Sequence, residues 1–120
     1  MGAGIQRVRI VRDKLLELKM EGYVQSKDLY EDKNFAVLVP YYIDKSRHNL
    51  ETASLLLRLS EVEGAKRALT LRGDYSAYDW VISASYYAMF HAATAILGHV
   101  GLRARSHECL IEALDFYFVL

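Results

Sequence analysis

One cysteine, Cys109, stands among 120 residues. An intrachain disulfide is therefore excluded, and a lone thiol in a helical segment fits a reducing cytoplasm. One proline and seven glycines spread at intervals leave few breakers, so long helices are expected. An excess of either charge is missing too, since fifteen basic residues balance fifteen acidic ones. That balance argues against a broad basic surface for non-specific nucleic-acid binding, and little self-repulsion opposes self-association. The first residues, Met1 to Arg7, hold no apolar core of the signal-peptide kind. No run approaches the roughly 18 apolar residues needed to span a bilayer. A cytoplasmic chain that makes no use of a membrane is expected. Glycine-rich phosphate loops, nucleophile elbows and carboxylate pairs at acid/base spacing are all missing.

What remains has the composition of an ordinary globular domain, 52% hydrophobic and 25% charged, at a length suited to one core. Ile5, Val8, Val11, Leu15 and Leu18 form a helical stripe from about Ile5 to Met20, with Gly22 as the stop. From Glu21 to Val39 the pattern fades. Ser26–Asp28 and Glu31–Asn34 read as loop, and Phe35–Val39 as a strand or buried connector. A second helix begins near Pro40, a residue suited to a first turn. Ile43, Leu50, Ala53, Leu57 and Val62 carry its stripe to about Leu71, with Gly64 as a weak point. Gly73-Asp74 marks a turn, and Asp74 is a candidate N-cap. The third helix, about Tyr75 to Leu97, is apolar nearly all round and so is expected to be central and packed on several sides. Gly98 and Gly101 end it. A fourth starts after Ser106, a candidate N-cap, and runs through Leu110, Ile111, Leu114 and Phe118. The terminal run Phe116-Tyr117-Phe118-Val119-Leu120 carries no polar stop. It is expected to pack into the bundle or onto a partner, or to continue in a longer natural chain. The expected fold is all-α, an antiparallel up-and-down bundle of about four helices in one compact domain. Residues 1–39 form an N-terminal helix plus connector, and residues 40–120 the bundle.

Chemistry concentrates in the third helix. Each residue advances about 100°, so Ala84, Tyr87 and His91 share a stripe, with Trp80 nearly in line and Tyr86 and Phe90 beside them. An imidazole and a phenol inside an apolar helix need partners. The ordinary reading of His91 is a core histidine bonded to a hydroxyl or carbonyl, and of Tyr86 and Tyr87 core aromatics. A second cluster, Arg103-Ala104-Arg105-Ser106-His107, opens the last helix and is the best local anion-binding candidate, against a plain solvated turn. His91, His99 and His107 are spaced by eight, which does not gather them on a helix, and no carboxylate or Cys grouping supports them. Neither a metal nor another cofactor is expected. His48 reads as solvent-facing and Cys109 as a small apolar residue.

The string Ser83-Ala84-Ser85-Tyr86-Tyr87-Ala88-Met89-Phe90-His91-Ala92-Ala93, followed by Ser106-His107, resembles the HEPN family of small prokaryotic helical domains. Lys45, Asn49-Leu50, Ala53 and Leu56-Leu57 are similar to the rhythm of the family's preceding helix. The likeness covers Pro40 to Phe118. It implies a homodimer, or a complex with a minimal nucleotidyltransferase as in toxin–antitoxin pairs, with a nucleotide or RNA as ligand. It further implies His91 as the catalytic acid or base, and Tyr87, Arg103, Arg105, Ser106 and His107 as ligand contacts at a groove on the dimer interface. Where the family pattern carries an Arg, this chain has Ala84. An Arg would give the phosphate a fixed bidentate cation, and losing such a donor costs on the order of 10²–10³-fold in rate. The expectation is therefore a nucleotide- or RNA-binding module with little or no catalysis. The alternatives are a metal-independent endoribonuclease using His91 with Arg103 or Arg105 as its cation, and a structural helical adaptor.

Overall fold

A computed structural model describes residues 2–118, with side chains from residue 14 onward. Among the described residues it has five α-helices: α1 Gly2–Gln25, α2 Val39–Glu61, α3 Glu63–Ala68, α4 Tyr78–His99 and α5 His107–Phe118. A 3-10 turn covers Lys33–Leu38, and two short strands, β1 Leu29–Glu31 and β2 Leu102–Ala104, pair antiparallel. The mostly helical class stands, with 77% of the chain in helix. The chain gathers into two units, one of residues up to Val39 with those from Ala93 onward, the other Pro40–Ala92.

In the first unit α1 packs on α5. Leu15 and Leu18 are exposed, while Leu16 and Tyr23 are half-buried and Met20 is buried. The packed stripe of α1 is thus a different one from that expected, and Ile5, Val8 and Val11 lie outside the described side chains. It is set by Glu112 of α5, which accepts a hydrogen bond from the Tyr23 hydroxyl at 2.8 Å and pairs with Lys19 Nζ at 2.9 Å. This anchor carries α1 past Gly22, which met no steric or capping demand to stop there. The helix ends instead at Gln25, and Lys27 beyond it closes the turn with a left-handed φ of 63°. The Asp28 N–H donates back to the Tyr23 carbonyl at 2.9 Å and the Lys27 N–H to Val24 at 3.2 Å, the paired bonds of a Schellman end.

The strand pair joins two connections where no strand is expected, with Leu29 opposite Ala104, Tyr30 opposite Arg103 and Glu31 opposite Leu102. Three residues are too few for an alternating pattern to register. Phe35 is 2% exposed and sits in the 3-10 turn rather than a strand. Its ring fills the space beside Gly98, where an added Cβ would meet Phe35 Cδ1 at 2.6 Å. Gly98 is therefore a packing residue inside α4. Gly101, at φ +81°, makes the turn after it. Ser106 caps α5 as expected, its Oγ accepting from the Cys109 N–H at 3.1 Å. Cys109, Leu110 and Ala113 are buried. Tyr117 and Phe118 are exposed and Phe116 half-buried; Val119 and Leu120 lie outside the described residues.

In the second unit the long helix expected to reach Leu71 breaks at Val62, which is extended (φ −102°, ψ 109°), so Gly64 falls within α3. Buried Lys66 donates to the Gly73 carbonyl at 3.0 Å and ties down the connector to α4. Asp74 is no cap; it forms a loose, exposed pair with Arg72 at 3.6 Å. α4 begins three residues after Tyr75, where Ala77 accepts its first helical bond from Val81. The Ala77 N–H donates to the buried Ser60 Oγ at 2.8 Å, and that hydroxyl donates to Leu56 at 2.8 Å. At the other end of the pair the Ser46 hydroxyl donates to the Ala88 carbonyl at 2.6 Å. Ser46 with Ala88 and Ser60 with Ala77 fix α2 and α4 as antiparallel neighbours, joined through small side chains.

α4 is not the centrally packed helix that its composition suggested, because Trp80, Ile82, Tyr86, Tyr87 and Met89 are all exposed. It also corrects the expectation about bilayer-spanning runs. Its Ser and Tyr residues interrupt the apolar run without charging it, and by length and composition the helix is long and apolar enough to cross a membrane.

Candidate functional site

Ser46 and Ala88 define where α2 and α4 touch. From Ala88, Tyr87 lies 100° round the helix on one side and His91 60° round on that same side. On α2, Tyr42 and Lys45 lie 40° and 100° from Ser46 in the same angular sense. Helices running in opposite directions bring equal senses to one side of the pair, so Tyr42, Lys45, Tyr87 and His91 share a surface.

The ring contacts agree with that placement. His91 is half-buried, with its ring centroid 5.8 Å from Tyr42, 5.6 Å from Phe90 and 6.2 Å from Tyr87, the last nearly parallel at 28°. Tyr41 packs edge-on to Tyr42 at 5.3 Å and Tyr86 edge-on to Tyr87 at 5.6 Å. The result is a row of rings from α2 across to α4 with the imidazole in its middle. Tyr41 is 55% exposed and Tyr87 49%, so the row offers open ring surface. Lys45 Nζ lies 5.5 Å from the Tyr41 ring centroid.

His91 Nδ1 is buried without a hydrogen-bond partner among the described residues. Burial holds the imidazole below its ordinary pKa, and the positive charge of Lys45 pushes it the same way. At neutral pH the ring is therefore uncharged, able to accept a proton at one nitrogen and donate from the other. The ordinary reading, a core histidine satisfied by a hydroxyl or carbonyl, does not describe Nδ1. Ala84 is half-buried and brings no cation to α4. The cation acting on His91 comes from the neighbouring helix.

The second cluster belongs to the other unit. Arg103, on β2, lies 4.3 Å above the Phe35 ring and 3.6 Å from an Asp32 carboxylate oxygen. Arg105 stacks over Tyr30 at 5.2 Å, and the Ser106 hydroxyl is committed to the helix cap. His107 is exposed in the first turn of α5. Both guanidinium groups thus have structural partners within the sheet corner.

Sequence reasoning found His91 and Tyr87 but missed Tyr41, Tyr42 and Lys45. A signal was present in the adjacent tyrosines just after Pro40, with Lys45 one turn on. It carries meaning only once α2 is known to lie beside α4. No protein-family model, curated protein or solved structure matches this chain.

Proposed function

We propose that this protein is a HEPN-like helical module that binds a nucleotide or single-stranded RNA, acting as a homodimer or with a minimal nucleotidyltransferase partner in a toxin–antitoxin-like pair. The observation that carries the reading is the His91 imidazole, its buried Nδ1 without a hydrogen-bond partner among the described residues, set in a row of half-open tyrosine rings beside Lys45. Exposed rings stack on bases whatever their identity, at about 1–3 kcal/mol per base, and a nearby ammonium meets the phosphate. A neutral chain with one local cation suits a short ligand better than a long duplex.

Trp80, the only tryptophan, lies seven residues before Tyr87 on the same side of α4 and is exposed, so its fluorescence reports on this surface. Titration with a short single-stranded RNA should quench it. Tyr87→Ala should weaken binding by about 5- to 100-fold, and Lys45→Ala should weaken it and flatten its salt dependence. Quenching absent in the folded wild type, or identical in all three proteins, would contradict the reading.

A second reading rests on the uncharged state of His91 next to Lys45. It is a metal-independent endoribonuclease in which His91 moves a proton and Lys45 stands where Ala84 gives no cation. A lysine lacks the bidentate fork of an arginine, so slow turnover is expected. RNA cleavage in chelator that is lost in His91→Ala would select it.

A further inference from the structure

The side of the α2–α4 pair opposite His91 is apolar and uncovered. On α2, Ile43, Leu50 and Leu57 recur every seven residues, each three before a residue of the Ser46, Ala53, Ser60 contact stripe. On α4, Tyr78 and Met89 each follow a contact alanine, Ala77 and Ala88, and Ile82 lies between them on the same flank. These six side chains all turn to the side away from Tyr87 and Lys45. Ile82 is 71% exposed, Met89 67% and Leu50 58%, with Ile43, Tyr78 and Leu57 also exposed. Monomers rarely leave so contiguous an apolar patch open.

We propose that a second copy of this chain docks on this face, related by a two-fold axis near residues 53–54 of α2. The area supports it: the six side chains leave on the order of 600 Å² uncovered, most of the ~800 Å² each partner gives to a standard interface. The seven-residue spacing supports it as well, since it is the repeat of a helix seam closed by another helix. About that axis Leu50 meets the partner's Leu57, and Arg47 meets the partner's Glu61, so apolar and charged positions both pair with themselves. Along the edge Arg47 and Arg58 alternate with Glu51 and Glu61. That mixed rim suits a protein surface, whereas a membrane-lying helix carries mainly Lys and Arg on its polar side.

The inference rests on the dimeric half of the proposed function and changes its geometry. The copies join through the face opposite His91, which leaves both His91 surfaces open instead of enclosed between them.

The test is sedimentation equilibrium of the full chain, with Leu50→Glu/Ile82→Glu as the interface variant and His48→Glu, on the other side of α2, as control. The wild type and His48→Glu should sediment at twice the 13.7 kDa chain mass. The double variant should sediment at that mass with its far-UV circular dichroism unchanged and its RNA binding retained. In a separate variant, Ser54→Cys near the axis should give a covalent dimer with a short bis-maleimide, while buried Cys109 stays unreactive. A wild type that is monomeric at 100 µM overturns both this inference and the dimeric reading. A double variant that remains dimeric, with no Ser54→Cys cross-link, overturns this face alone. A monomeric wild type that binds neutral lipid vesicles through Ile82 and Leu50 assigns the face to lipid and likewise overturns the inference.

Discussion

His91 shows how a residue's neighbours, more than its type, decide what it can do. Burial first, and the Lys45 charge second, hold its pKa below the ordinary histidine value. Lys45→Ala removes the second cause and leaves the first. In an NMR titration the His91 pKa should rise in that variant without reaching that of an exposed histidine, and an unchanged pKa would exclude the electrostatic contact. Gly98 carries the opposite lesson, since its value lies in having no side chain. Gly98→Ala gains a little helix propensity but drives a Cβ into the buried Phe35 ring. The net cost should be about 1–3 kcal/mol by denaturant unfolding. The reverse lesion, Phe35→Ala, should cost about 3–5 kcal/mol.

At the scale of elements, the helices were legible because breakers are few and apolar spacing is regular. Their edges were not, because each is fixed by a partner distant in sequence. Glu112 holds the last turns of α1 through Tyr23 and Lys19, so Gly22 could not be read as interior. Ser60 accepts the Ala77 N–H and sets the start of α4, although Asp74 is the residue type that favours a cap. Ser60→Ala should leave that buried N–H unpaired and cost about 1–3 kcal/mol. Lys27 closes α1 in a left-handed conformation, so Lys27→Gly should be stabilising by up to about 1 kcal/mol, read as a higher denaturant midpoint. The strand pair escaped because each strand is three residues long. Half the candidate site escaped because Tyr41, Tyr42 and Lys45 belong to a different helix from the motif that drew attention.

For the whole molecule, the titrations of half-buried His91 and Glu112 act in separate pH windows. The His91 pKa is lower folded than unfolded, so just below about pH 6.5 the unfolded chain binds a proton that the folded chain refuses. The stability that His91 contributes is complete above that pH and is lost as pH falls through its folded value. Glu112 is held low by hydrogen bonds from Lys19 and then Tyr23, and its contribution is lost only at more acidic pH, below its ordinary carboxylate value. Urea midpoints should therefore fall in two steps on acidification. His91→Gln should remove the first and Tyr23→Phe should diminish the second; a single acidic step in the wild type would contradict the buried imidazole.

The proposed function requires that the open tyrosine row around His91 receive a nucleotide. The most direct measurement is the imidazole NMR spectrum of the full chain during addition of AMP and of a short single-stranded RNA. The His91 ring signals should shift and saturate on addition of ligand, and the response should weaken in Tyr87→Ala. His91 signals unmoved by either ligand, in a folded protein, would contradict that function.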